Sequence, residues 1–126
     1  MKYYKAPDIE EIALDIIEKT GMSWIKANRL GFVRSFGSKS TRTIARCHSI
    51  GKIWEASLGI PVSYTIEVVS EEFDRLPPEE KVKTIIHELL HIPKSFGGGF
   101  RHHDYVSRRE VEKWFRKYLR AGGRVP

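Results

Sequence analysis

The chain has 126 residues, 40% of them hydrophobic and 30% charged, and a formal net charge of +6. That is room for one domain with a thin core, and no apolar run approaches the roughly 18 residues a membrane-spanning helix needs. A single cysteine, Cys47, excludes an internal disulfide and a four-cysteine metal cage; with a start unlike a secretory signal, it predicts a reducing, cytoplasmic setting.

The first predicted element is a helix. Asp8 is placed to cap it with Glu11 three residues on, Ile9, Ile12, Ala13, Ile16 and Ile17 recur at helical spacing, and Gly21 stops it. The middle reads as β. Leu30, Phe32, Arg34 and Phe36 alternate, a Gly-Ser-Lys-Ser turn follows at 37–40, and residues 41–50 form a second run, which together predict a hairpin. Within that run Cys47 reads as a small buried thiol and His48 as a surface imidazole. Lys52 to Leu58 predicts a short helical turn ended by Gly59 and Pro61. Val62 to Val69 is the strongest strand, β-branched or aromatic almost throughout.

Pro77-Pro78 breaks the chain, and Glu79-Glu80 opens a helix with acids at its positive end. Val82, Ile85, Ile86, Leu89 and Leu90 are its apolar stripe and Pro93 its stop. Residues 94–101 are a loop rich in glycine. A last helix starts at Ser107, with Glu110 completing a capping box, buries Val111, Trp114, Phe115, Tyr118 and Leu119, and ends at Gly122-Gly123. The expected fold is α+β: a small, mostly antiparallel sheet of about three strands packed with three helices, forming a single domain over residues 1–126.

The charge is uneven. Residues 19–54 carry eight Lys or Arg and no acid, and residues 101–126 sum to +5, while 1–18 and 55–100 sum to −3 and −4. If the two basic segments converge on one face, they make a positive stripe for phosphate or acidic partners.

Four of the five histidines lie between His87 and His103. His87-Glu88-Leu89-Leu90-His91 is H-E-x-x-H on a predicted helix. Residues four apart stack on one face, so both imidazoles reach one cation, and imidazole suits zinc. Glu88, rotated about 100° from His87, can stand beside the metal without ligating it. There it can take a proton from bound water and pass it to a leaving amine. A metzincin continuation would need Gly at 94 and His at 97, where the chain has Lys94 and Gly97, and both methionines lie upstream. Three third ligands stay open: His102 and His103 beyond the loop, and Glu110, which lies 19 residues after His91, as in gluzincins.

His87 to Pro93, Gly98-Gly99-Phe100-Arg101-His102-His103 and Arg108 to Glu112, with Gly31 to Ser40 and Ile53-Trp54 to Gly59-Ile60 upstream, resemble the small metallopeptidases of archaea and phages. They resemble the SprT-like minimal zincins more distantly. The resemblance implies a zincin-like fold with a small sheet beside the active-site helix. It also implies His103, followed by Asp104 and a basic helix, as the third ligand with His87 and His91.

These readings predict a Zn²⁺-dependent peptidase acting on a peptide or unfolded protein, with Glu88 as general base and then acid. An exposed sheet-edge strand would align the substrate by backbone pairing. Tyr64, Tyr105, Arg101 and His102 are candidates to stabilise the tetrahedral intermediate. The SprT likeness suggests an alternative, proteolysis of DNA-associated proteins with weak nucleic-acid binding through the basic segments. Another alternative is a non-catalytic, zinc-stabilised nucleic-acid or partner-binding domain, and a third is a phage-type regulatory protease with one dedicated substrate. With nearly every residue assigned to sheet, metal helix, loop or closing helix, substrate choice falls to the catalytic domain itself.

Overall fold

A computed structural model describes residues 1–102 and 105–126. It is α+β, and the elements run β1 (Lys2–Lys5), α1 (Pro7–Thr20), a 3₁₀ turn (Ala27–Arg29), β2 (Leu30–Phe36), β3 (Ala45–Ile50), α2 (Lys52–Leu58), β4 (Ser63–Val69), α3 (Ser70–Phe73), α4 (Pro78–Leu90) and α5 (Arg108–Arg120). No described helix is long and apolar enough to cross a membrane.

The sheet has four strands in the order β1-β2-β4-β3, with β2 and β4 parallel and both outer pairs antiparallel. The expected hairpin of β2 with β3 does not form, because β4 inserts between them. The connection over residues 37–44 is longer than a tight hairpin loop. The central place goes to the segment that can be covered on both faces. Tyr64, Ile66 and Val68 face the helices, while Glu67 and Val69 are buried on the other side. Strand β1, which the sequence reading does not predict, pairs with β2 although all four residues are exposed. Its two tyrosines are adjacent and flanked by lysines, so they give no alternating apolar period.

One apolar layer joins the sheet to the helices. Ile9, Ala13 and Ile16 of α1, Ile85, Ile86 and Leu89 of α4, and Val111, Phe115 and Tyr118 of α5 meet Phe32, Tyr64 and Ile66. Leu119, expected in that layer, is exposed, and Trp114 is only partly buried. Helix α1 begins at Pro7, whose missing N–H costs nothing at a helix start. Asp8 makes no cap bond. It lies one position inside the helix, and its carboxylate pairs with Arg34 at 2.6 Å, while Arg34 also binds Asp74 at 2.8 Å. The Ser107 cap is as expected, its hydroxyl accepting from the Glu110 N–H at 3.1 Å.

Candidate metal centre and substrate cleft

Helix α4 ends at Leu90, and His91 is its C-terminal cap. The apolar stripe of the helix is locked into the core, so the opposite stripe, Glu80, Thr84, His87 and His91, is carried to the surface cleft. Nε2 of His87 and Nε2 of His91 lie 3.2 Å apart, with the rings near perpendicular at 72°. Two imidazole nitrogens bound at 2.0–2.1 Å to a tetrahedral ion stand about 3.3 Å apart, so the pair is spaced to share one metal. Nδ1 of His91 lies 2.9 Å from the Arg101 carbonyl oxygen. A carbonyl only accepts, so Nδ1 carries the proton and the Nε2 lone pair is left for coordination.

The loop that supplies this carbonyl is tied down along its length. The Arg101 N–H donates to the His91 carbonyl at 2.8 Å, closing a reciprocal pair. The Tyr64 hydroxyl accepts from Gly98 N–H and donates to the Gly99 carbonyl, both at 2.8 Å, and Ser49 Oγ donates to the Gly98 carbonyl at 2.6 Å. Gly98 has φ of +99°, and a Cβ there would lie 2.6 Å from the Cα of Gly51. Phe96, buried with φ of +49°, packs edge-on to Tyr64. Tyr64 is therefore a brace for the loop that holds His91. As a candidate for the tetrahedral intermediate it is set aside, since it is 1% exposed and its hydroxyl is engaged.

Glu88 is 7% exposed on the side of α4 that faces β3. Burial pushes its carboxyl up to about 7, into the range where one group can both accept and return a proton near neutrality. A divalent cation at the neighbouring imidazoles would draw it back down. Cys47 of β3 lies in the same cleft, and burial, followed by the Glu88 charge, pushes its thiol up to about 12, so it is a neutral wall.

Two open clefts meet at Glu88. One, of about 800 Å³, runs between the 42–45 segment, α4 and the start of α5, and His87 lines it. The other, of about 510 Å³, is lined by Cys47, His91, Phe100, Arg101 and His102. Strand β3 borders both and is an edge of the sheet. Among the described residues no third His, Cys, Asp or Glu joins His87 and His91 in a set that would hold an ion. Neither His102 nor Glu110 completes the pair, and the expected third ligand, His103, lies outside the described residues. Arg101 and His102 are at the cleft, with the Arg101 guanidinium 3.9 Å from the Tyr105 ring.

The sequence reading missed Arg42, Ala45 and Lys83 as cleft residues. Lys83 had a signal: it lies four residues before His87 on the same helix. Arg42 and Ala45 had none, because only the placing of β3 beside α4 brings them there.

The fold and the site together define a class: an α+β protein with two convergent imidazoles and a buried carboxylate on one helix, set beside an open sheet edge. Residues 1–121 match the family described as putative phage metallopeptidase, and the chain belongs to that family. Membership points to a peptidase-type hydrolase that works with a metal ion. No curated protein and no solved structure matches the chain.

Proposed function

We propose that the protein is a zinc-dependent metallopeptidase, a single cytoplasmic catalytic domain over residues 1–126, that cleaves a peptide or unfolded protein. The observation that carries this reading is the His87–His91 Nε2 separation of 3.2 Å, with the His91 tautomer set by Arg101 and a buried carboxylate one residue away. His87, His91 and His103 would hold the ion. When bound, zinc supplies Lewis acidity toward the scissile carbonyl and lowers the pKa of a coordinated water.

The chain's own groups do the remainder. Glu88, buried one residue from His87, takes the proton of the attacking water and returns it to the leaving amine. The exposed edge of β3 pairs with an extended substrate backbone and lays it across Glu88, into the clefts on either side. Arg101 and His102, at the wall of the second cleft, offer charge and hydrogen bonds to a developing oxyanion.

The test is metal content by mass spectrometry together with cleavage of an unfolded protein, for the wild type, His91→Ala and Glu88→Gln. The expected result is about one zinc per wild-type chain, none in His91→Ala, and full zinc but no cleavage in Glu88→Gln. A wild type that takes up no zinc refutes the reading. Glu88→Gln with unchanged behaviour, beside an unfolded His91→Ala, would instead make the metal structural.

A further inference from the structure

We propose that Arg42 and Arg108 form an acid-selective subsite beside the catalytic carboxylate. They would direct the enzyme to polypeptides bearing Asp or Glu within a few residues of the scissile bond. This rests on the peptidase reading above and names its substrate class.

The two residues come from opposite ends of the chain's charge pattern, Arg42 from the basic 19–54 block and Arg108 from the basic 101–126 block. The fold brings both to the wall of the 800 Å³ cleft that His87 and Glu88 also line. The third cation there, Lys83, is already engaged: its ammonium lies 2.6 Å from Glu112, 3.5 Å from Glu79 and 3.8 Å from Glu80. Arg42 and Arg108 take part in none of the ion pairs among the described residues. The cleft thus presents two guanidiniums with unspent charge, close to where a substrate backbone paired on β3 would lie.

Helix stability does not account for Arg108. It is the first residue of α5, where the helix dipole favours an acid and opposes a cation. A carboxylate side chain fits the site better than a nucleic-acid backbone does. Glu80, Glu88 and Glu112 line the same cleft, and a strand carrying a charge on every phosphate would have to run past them. A single carboxylate needs only to meet the arginines on the cleft wall. At about 3.3 Å per extended residue, a side chain one to three positions from the scissile bond reaches about 3–10 Å along the cleft from Glu88.

The experiment has two arms. In the first, the zinc-loaded wild type and R42E/R108E digest a randomised peptide library, and cleavage sites are mapped by mass spectrometry. The wild type is expected to enrich Asp and Glu at one position by about threefold or more, and the variant to lose this and favour Lys or Arg there. Cleavage with no acidic enrichment, or an unchanged profile in the variant, overturns the proposal while leaving the peptidase reading intact.

The second arm needs no turnover. Glu88→Gln, alone and combined with R42E/R108E, is titrated by fluorescence anisotropy at low salt with an alanine-based peptide carrying a central glutamate, its glutamine counterpart, and a single-stranded oligonucleotide. The glutamate peptide is expected to bind about fivefold to tenfold tighter than the glutamine one, and the combined variant to lose that difference. Equal binding of the two peptides overturns the subsite. Oligonucleotide binding that depends on the arginines, without peptide discrimination, would make it a phosphate site instead. If the wild type cleaves nothing, the peptidase reading fails and this arm still decides the subsite. Because R108E places an acid where the dipole favours one, its helix is retained, and circular dichroism checks this.

Discussion

Gly98→Ala tests whether the 94–101 loop is part of the metal site or only lies near it. The φ of +99° is a region that L-residues rarely occupy, costing about 1–3 kcal/mol. The added Cβ would also stand 2.6 Å from the Cα of Gly51, an overlap with backbone that no rotamer relieves. Against this strain stand three hydrogen bonds, two to the Tyr64 hydroxyl and one from Ser49, each contributing about 0.5–1.5 kcal/mol. The overlap adds to the φ cost and together they outweigh what three such bonds return, so the loop should detach while the core stays folded. Detachment removes the Arg101 carbonyl from Nδ1 of His91, and loss of such an orienting partner typically lowers metal affinity about 10- to 100-fold. Competition with a fluorescent chelator reads the zinc affinity, and thermal denaturation reads the fold. Gly99→Ala is the control, since a Cβ there meets nothing within 4 Å, and it should bind zinc like the wild type. Wild-type zinc affinity in Gly98→Ala, or an equal loss in Gly99→Ala, refutes the coupling of loop to metal.

Glu67 supplies a pH test away from the cleft. Burial works to raise its carboxyl, but the His48 contact at 2.8 Å and the Arg46 charge help hold it below its usual value. A depressed folded pKa gives stability that is present above the unfolded value, near 4.3, and lost as pH falls through the folded one. Arg46→Ala/His48→Ala removes two of the groups that lower it and leaves the Ser35 hydroxyl, so its urea stability should be lower by about 1–3 kcal/mol at neutral pH and should rise less steeply between pH 3 and 5; an unchanged slope contradicts this. Ser107→Ala, which removes the Glu110 cap bond, should cost about 1 kcal/mol in chemical denaturation. Leu89→Ala, a fully buried truncation on the metal helix, should cost about 2–5 kcal/mol. Zinc at a hundredfold its Kd should stabilise the protein by about 2.7 kcal/mol, and a chelator should reverse the gain; a melting curve indifferent to zinc would refute metal binding to the folded state.

Much of this molecule was legible from local pattern. Helical period marks α1, α4 and α5 because each buries one face, and H-E-x-x-H sets its two histidines on one face through helix geometry alone. Ser107 was readable as a cap because capping is a contact across three residues. Asp8 was misread as the N-cap, because Arg34, which holds that carboxylate, arrives from strand β2.

What only the tertiary structure decided is long-range. Strand β4 displaces the hairpin because the sheet gives its centre to the segment with the most surface to bury, a competition no local window contains. His48 is the exposed imidazole expected, but only the β3–β4 pairing brings it within 2.8 Å of the buried Glu67, 19 positions away in the chain. The charge blocks were visible as blocks, but whether they met was not: Arg42 and Arg108 are 66 positions apart in the chain, and packing of β3 and α5 about α4 brings them to one cleft. The sequence by itself determined the chemistry on one helix, since that depends on spacing within a few turns. The cleft around it depends on which distant segments share the core, and only the packed structure decides that.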